Sequence, residues 1–340
     1  MHTLQAGRFH HPTLRPIVLL LGAGTLIACF SLSGSSERPP IPEEELSGLT
    51  LLTPGKNASF QNPTWSPDGR HLAYDLANPA IGASRDAFPA DAEVYVMNLD
   101  TGTRRQLTDN EVADVQPDWS PNGGQITFAR TVEGSGYPPR VQLMLIGADG
   151  HTEQVLFECP TTCLDPRWSP DGELIAFGMD GRIWTVHRDG SNPREVSRER
   201  VGAAEIPSWS PDGDSLVYWA IPEAEPVSQI TEAVFVVVDL STGEETIVLS
   251  GVSLGAPDWF PLSSSILYSD QPAPQKRWTL FTLDLETGEA RRLIPLDLEY
   301  NLFDAVWSPD GRRIAFAYGF ETTTSHLYIL DLAELGSQTP

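Results

Sequence analysis

The sequence predicts an all-β protein: a six-bladed β-propeller closed by an N-terminal strand that pairs with the last blade. Three observations predict it. A Trp-Ser-Pro-Asp-Gly turn recurs at near-even spacing, each copy leads into the same order of short strands, and the last unit lacks a strand that the start of the chain supplies. Gly and Pro, 28 and 29 of 340 residues, suit a fold with many tight turns and exclude a helical bundle.

The turn comes first. Pro63-Thr-Trp65-Ser-Pro-Asp-Gly69 recurs as Pro117-Asp-Trp119-Ser-Pro-Asn-Gly123 and Pro166-Arg-Trp168-Ser-Pro-Asp-Gly172. It returns as Pro207-Ser-Trp209-Ser-Pro-Asp-Gly213 and Ala305-Val-Trp307-Ser-Pro-Asp-Gly311, with a worn copy, Pro257-Asp-Trp259-Phe-Pro-Leu-Ser263, between them. Successive Trp positions differ by 54, 49, 41, 50 and 48. Each Trp is a large apolar anchor between units whose indole N–H needs an acceptor. Pro presets φ and Gly takes the positive φ of a tight turn, while Asp68, Asp171, Asp212 and Asp310 are placed to accept backbone N–H bonds across it. These four Asp recur at equivalent places in different units, so they read as turn chemistry rather than as one catalytic or metal cluster.

The strands follow. After each turn comes a short alternating strand, as in His71-Leu-Ala-Tyr-Asp75, Gln125-Ile-Thr-Phe-Ala129 and Arg313-Ile-Ala-Phe-Ala317. A variable loop leads to a second strand, such as Glu93 to Leu99, Val234 to Leu240 or His326 to Leu332, which usually ends in a Thr-Gly or Asp-Gly hairpin signal. A third closes the unit, as in Arg105-Gln-Leu-Thr108 or Arg291-Arg-Leu-Ile294. With the strand leading into Trp, each unit has four antiparallel strands, a propeller blade. Units of about 48 residues are too small to bury separate cores, which excludes a string of sandwiches. The last unit reaches Leu332 without a fourth strand, and Leu49-Thr-Leu-Leu-Thr53 matches the missing piece. Pairing it onto the last blade removes the exposed edges of an open ring.

The unit resembles the Trp-Ser-Pro-Asp-Gly repeat of the TolB-type propeller family over about residues 48 to 333. The resemblance implies a six-bladed ring. It is weak for function, since similar blades occur in periplasmic scaffolds and in prolyl oligopeptidase-like enzymes. The additional N-terminal α/β domain of TolB has no counterpart in the leader and tether read here.

Residues 1–28 read as a lipoprotein signal peptide. Arg8 and Arg15 precede an apolar run from Ile17 to Ala28, and Leu26-Ile-Ala-Cys29 resembles the bacterial lipobox, which makes Cys29 the lipid-attachment residue. Residues 29–47, with Pro39-Pro40, Pro42 and Glu43-Glu44-Glu45, read as a flexible tether; 48–333 are the propeller and 334–340 a C-terminal tail. The expected location is therefore extracytoplasmic, with a lipid anchor on the outer side of the cytoplasmic membrane or on the outer membrane. The net charge of −24 repels polyphosphate and excludes nucleic acid as a partner, while 40% hydrophobic and 20% charged residues fit a globular chain. A monomer is expected.

Signs of chemistry are sparse. There is no Gly-x-Ser-x-Gly elbow, P-loop or Gly-x-Gly-x-x-Gly, and His71, His151, His187 and His326 lie in four different blades without zinc spacing. Apart from Cys29, the cysteines are Cys159 and Cys163, an even pair in an exported chain and so an expected disulfide. Long, dissimilar loops share one face: 76–92, 131–140, 221–232, 269–277 and 318–325, carrying Phe88, Tyr137, Lys276, Arg277 and Phe320.

Two functions remain. One is a non-enzymatic scaffold binding an envelope protein, peptide or glycan. The other is a propeller enzyme, a carbohydrate lyase or hydrolase, with carboxylates and a metal at the channel mouth. Asp114, Asp165, Glu205 and Asp304 each precede the Trp of a different blade, so they form the expected ligand-binding rim, a negative funnel for cationic groups. No cofactor is expected, and Ca²⁺ is the one candidate ion, provided three or more of these acids converge. No His, Lys or Tyr constellation accompanies them, which favours binding over catalysis.

Overall fold

The structure, a computed structural model, describes residues 41, 46–54, 58–77, 92–134, 139–198, 201–222, 233–252, 255–271, 278–294, 298, 301–320 and 324–335. Among these the protein is all-β, with one four-residue helix, α1 (Leu332–Leu335). The first strand, β1 (Leu49–Leu51), pairs near the far end of the chain. β2 (Ser59–Trp65), β3 (His71–Ala77), β4 (Glu93–Asn98) and β5 (Arg104–Gln106) then form an antiparallel meander. The pattern repeats in β6 (Asp114–Trp119), β7 (Gln125–Thr131), β8 (Val141–Gly147) and β9 (Gln154–Glu158), and in β10 (Cys163–Trp168), β11 (Leu174–Met179), β12 (Arg182–His187) and β13 (Arg194–Glu195). It repeats again in β14 (Val201–Trp209), β15 (Ser215–Pro222), β16 (Ala233–Asp239) and β17 (Glu245–Val252), and in β18 (Asp258–Trp259), β19 (Ser265–Asp270), β20 (Thr279–Asp284) and β21 (Ala290–Arg292). The final meander is β22 (Asn301–Trp307), β23 (Arg313–Phe320) and β24 (Thr324–Asp331), beside which β1 lies with Leu49, Thr50 and Leu51 opposite Leu330, Ile329 and Tyr328. One parallel bridge, Ser59 to Ser325, joins the first and last groups into an eight-stranded sheet.

Side-chain chemistry repeats with the strands. In four of the turns a serine hydroxyl donates to the aspartate two residues on: Ser66 to Asp68 at 2.5 Å, and Ser169 to Asp171, Ser210 to Asp212 and Ser308 to Asp310 at 2.6 Å. The same Asp oxygen accepts the N–H of Arg70, Glu173, Asp214 or Arg312. These donors hold all four carboxyls below the usual aspartate range, the serine hydroxyl being the largest cause. Asn122 plays the same part opposite Ser120 and the Gly124 N–H. In the worn copy the hydroxyl is replaced by the ring of Phe260, which meets Trp307 edge-on at 4.7 Å between centroids.

The outer strands end on a second device. Thr108 Oγ1 accepts from Val94 N–H, Ser197 Oγ from Ile183 N–H and Thr53 Oγ1 from Leu327 N–H, each at 2.9 Å. The residue before each hydroxyl, Leu107, Val196 or Leu52, donates its own N–H back to the same partner strand. Thr53 thus does beside β24 what Thr108 and Ser197 do inside continuous units. The second and third strands of each group carry most of the buried apolar residues, and the sheets stack through them. Packing begins before residue 48: Ile41 and Leu46 are buried against Trp278, Tyr318 and Tyr328, and Ile41 N–H donates to the Tyr328 hydroxyl at 2.8 Å. A free tether running through residue 47 is therefore too long a reading.

Candidate functional site

The strands leading into Trp carry a bulge. In β2, β6, β10, β14 and β22 the register slips just before the Trp, and the residue three before it turns left-handed: Asn62, Gln116, Asp165, Ile206 and Asp304 have φ between 50° and 57°. Asn and Asp tolerate that conformation, whereas β-branched Ile206 is strained in it. A bulge turns a side chain away from simple alternation, and here it turns several toward the neighbouring sheet. Asp304 Oδ2 accepts from Asn62 N–H at 3.3 Å, and Gln116 Oε1 accepts from Asp165 N–H at 3.0 Å. Between them, Asp75 Oδ1 accepts from the Asn62 side-chain amide at 2.6 Å and from Gln116 N–H at 3.0 Å.

A second set of contacts involves the residue immediately before each Trp: Thr64, Asp118, Arg167, Ser208, Asp258 and Val306. Asp118 accepts from the Thr64 hydroxyl at 3.0 Å and from Trp168 N–H at 2.7 Å. Asp258 accepts from the Ser208 hydroxyl at 3.3 Å and from Trp307 N–H at 2.8 Å. Each of these carboxyls therefore ties three successive inner strands together. Trp209 Nε1 donates to the Arg167 carbonyl at 3.0 Å and Trp65 Nε1 to the Val306 carbonyl at 3.3 Å. These bonds link β2, β6, β10, β14, β18 and β22 in order, and β22 back to β2.

The electrostatics follow from enclosure. Burial pushes Asp75 up to about 6 and Asp258 up to about 7, and the hydrogen bonds they accept only partly offset it. Burial also raises Asp118 and Asp165, opposed in both by the positive charge of Arg167. A separate buried network surrounds Glu93, which accepts from the Thr108 hydroxyl and from Asn110 N–H; burial carries it up to about 7.

The four expected rim acids separate. Asp114 has a fully buried side chain gripped by Arg130 through Nε and Nη2, both at 2.6 Å, and by the Asn110 amide at 2.7 Å, while Arg130 also reaches Glu153. Asp165 and Asp304 share the bulge position. Glu205 is one residue off it, half-buried and paired in register with Trp219. Their offsets from Trp are five, three, four and three residues, and a bulged strand sends such positions to different faces. Among the described residues, no group of three or more His, Cys, Asp or Glu is arranged to hold a metal ion. Asp75, Asp118 and Asp258 were not singled out from the sequence. Aligning the residue before each Trp would have shown two acids and one Arg at a position otherwise small or apolar.

Cys159, just after β9, and Cys163, the first residue of β10, are bonded to each other, with Cα atoms 6.1 Å apart and both residues buried. Cys29, Phe88, Tyr137, Lys276 and Arg277 lie outside the described residues, as does the side chain of Phe320. The Trp anchors are buried or half-buried; the indole N–H groups of Trp119, Trp168, Trp259 and Trp307 find no acceptor among the described residues, unlike those of Trp65 and Trp209. Chemically, the inner strands offer enclosed carboxyls and one guanidinium, most of them engaged with neighbouring strands.

No family model matches the chain. Over 124 residues it is 27% identical to dipeptidyl-peptidase 5 of Porphyromonas endodontalis, which is 35% of this chain and 17% of that protein. Over 82 residues it is 32% identical to the Tol-Pal system protein TolB of Alcanivorax borkumensis, 23% of this chain and 16% of that one. The matches thus span about a sixth of these relatives' length. Among solved structures, an oligogalacturonate lyase in complex with manganese superposes with a TM-score of 0.55 at 17% identity, covering 83% of this chain and 92% of the lyase. TolB from Acinetobacter baumannii gives 0.55 at 16% identity, covering 68% of this chain and 53% of TolB. In fold, the chain is a TolB-like β-propeller.

Proposed function

We propose that the protein is an exported, lipid-anchored, six-bladed propeller that serves as a non-enzymatic binding scaffold for a protein, peptide or glycan of the cell envelope. The observation that carries this reading is the engagement of the inner-strand carboxyls. Asp75, Asp118 and Asp258 accept hydrogen bonds from neighbouring strands instead of forming an acid and base couple. The cyclic order of the inner-strand bonds supports six blades, with the eight-stranded sheet read as two blades joined by the Ser59–Ser325 bridge. The pairing of β1 with β24 supports closure by the N-terminal strand. The basic leader and the Leu26-Ile-Ala-Cys29 stretch support export and attachment at Cys29. In this reading the dissimilar loops on the face away from the Ser-Pro-Asp-Gly turns select the partner.

A second reading is a carbohydrate lyase or hydrolase with Ca²⁺ or Mn²⁺ at the inner acids, favoured by the likeness to the manganese complex of oligogalacturonate lyase over 83% of the chain. One assay separates them. The purified protein is incubated with oligogalacturonate and either ion, and unsaturated product is followed by ultraviolet absorbance. No turnover is expected; turnover abolished by chelation overturns the scaffold reading.

A further inference from the structure

Asp165 differs from the other inner carboxyls. It is 8% exposed, and its backbone N–H is held by Gln116 Oε1, yet among the described residues no hydrogen bond or close ion pair reaches its carboxylate. At two bulges the side chain serves the next strand: Asp304 accepts from the Asn62 N–H and Gln116 from the Asp165 N–H. Asp165 holds the same position before Ile206, but among the described residues no bond from the Ile206 N–H to its carboxylate is made. It acts electrostatically on Arg167 and on Asp75, which places it where the inner strands converge. The residue is nine-tenths buried, yet its oxygens are not among the enclosed side-chain atoms that lack a partner, so the carboxylate is open to a donor brought from outside.

Resting on the scaffold reading, we infer that Asp165 anchors a pocket for one primary ammonium group, such as a lysine side chain presented by the partner. The chemistry selects this guest in three steps. Burial disfavours the charged form of this carboxyl, so the guest that satisfies it best both donates hydrogen bonds and brings positive charge. A metal ion needs several ligands together, and no such set exists among the described residues. An ammonium brings three N–H donors and no acceptor, which suits a place where the charge of Asp165 is felt by a second carboxyl, Asp75. Arg167 tempers the pocket: its charge opposes the guest, so it limits affinity and keeps the site selective for a single charge.

The test uses the full chain and n-butylammonium chloride as probe, read by isothermal titration calorimetry or chemical-shift perturbation. Tetramethylammonium, which has no N–H, and Ca²⁺ are the comparison ions. Binding of butylammonium is expected, with tetramethylammonium and Ca²⁺ weaker. Asp165→Asn keeps a residue at ease with positive φ and should weaken butylammonium binding about tenfold or more. Arg167→Gln should strengthen it. Equal affinity in the parent and Asp165→Asn, no binding by the parent, or preference for Ca²⁺ overturns the inference. If Asp165→Asn does not fold, Arg167→Gln decides alone, and unchanged or weaker binding there overturns it. None of these failures touches the absence of lyase turnover, so the scaffold reading stands or falls separately.

Discussion

At the scale of single residues, two sets of carboxyls respond to pH in opposite directions. Asp75, Glu93 and Asp258 are raised by burial to about 6, 7 and 7, so they keep a proton in the folded protein where the unfolded chain has lost it. Their contribution is complete below about pH 4 and fades as pH rises to about 7. Asp68, Asp171, Asp212 and Asp310 are lowered by the serine hydroxyls, so their contribution is present above the usual aspartate range and fades on acidification below it. The melting temperature should therefore peak near pH 4 and fall by several degrees by pH 8. Asp258→Asn, which cannot titrate, should flatten that fall; an unchanged slope would remove Asp258 from the account. The turn Asp residues were legible because the turn chemistry repeats around them. Of the inner acids, Asp165 and Asp304 were named, but Asp118 and Asp258 were not, because the residue before Trp changes type from unit to unit, and Asp75 sits in the second strand of its unit, outside the repeated motif.

Among the elements, the strand order and hairpins were legible from alternation and Thr-Gly or Asp-Gly signals, since each is a local rule. Outer strands were harder to bound. β13 has two residues because Ser197 replaces a ladder bond with its hydroxyl, and β17 runs on to Val252 through bulges that include Gly251 at φ 78°. The expectation that Leu49 to Thr53 completes the last unit rests on Leu-Thr spacing, and the Thr53 bond to Leu327 N–H gives that spacing a physical reason. Deleting residues 49–53 should orphan that N–H, expose the outer edge of β24 and promote association, which sedimentation would detect. A monomer with an unchanged melting temperature would refute the edge argument. The Cys159–Cys163 bond closes a very short loop, so replacing both by Ala should cost about 2 kcal/mol by chain entropy, measured by urea denaturation. A larger loss would mean that the buried sulfurs also matter for packing.

At the scale of the whole molecule, the acidic balance and the basic, then apolar first 28 residues bear on location rather than fold. If Cys29 carries lipid, Cys29→Ser should leave the chain uncleaved or freely released and abolish its partition into detergent; a processed chain that still fractionates with membrane would contradict the anchor. The state of Asp165 was the least legible feature: the sequence marks it as a rim acid, but not that its carboxylate lacks a donor while Asp304 and Gln116 serve their neighbours. The meeting of Leu49 with Leu330 carries a further consequence for how the protein is made. The two residues are 281 positions apart, so at about 5–20 residues per second the first strand waits about 15–55 s for its partner to emerge. Throughout that interval a nascent chain presents Leu49, Thr50 and Leu51 to its surroundings. A dedicated holding factor, or a slow final step in maturation, is therefore expected of the cell that makes it, and pulse-labelling should find full-length chains that are still protease-sensitive.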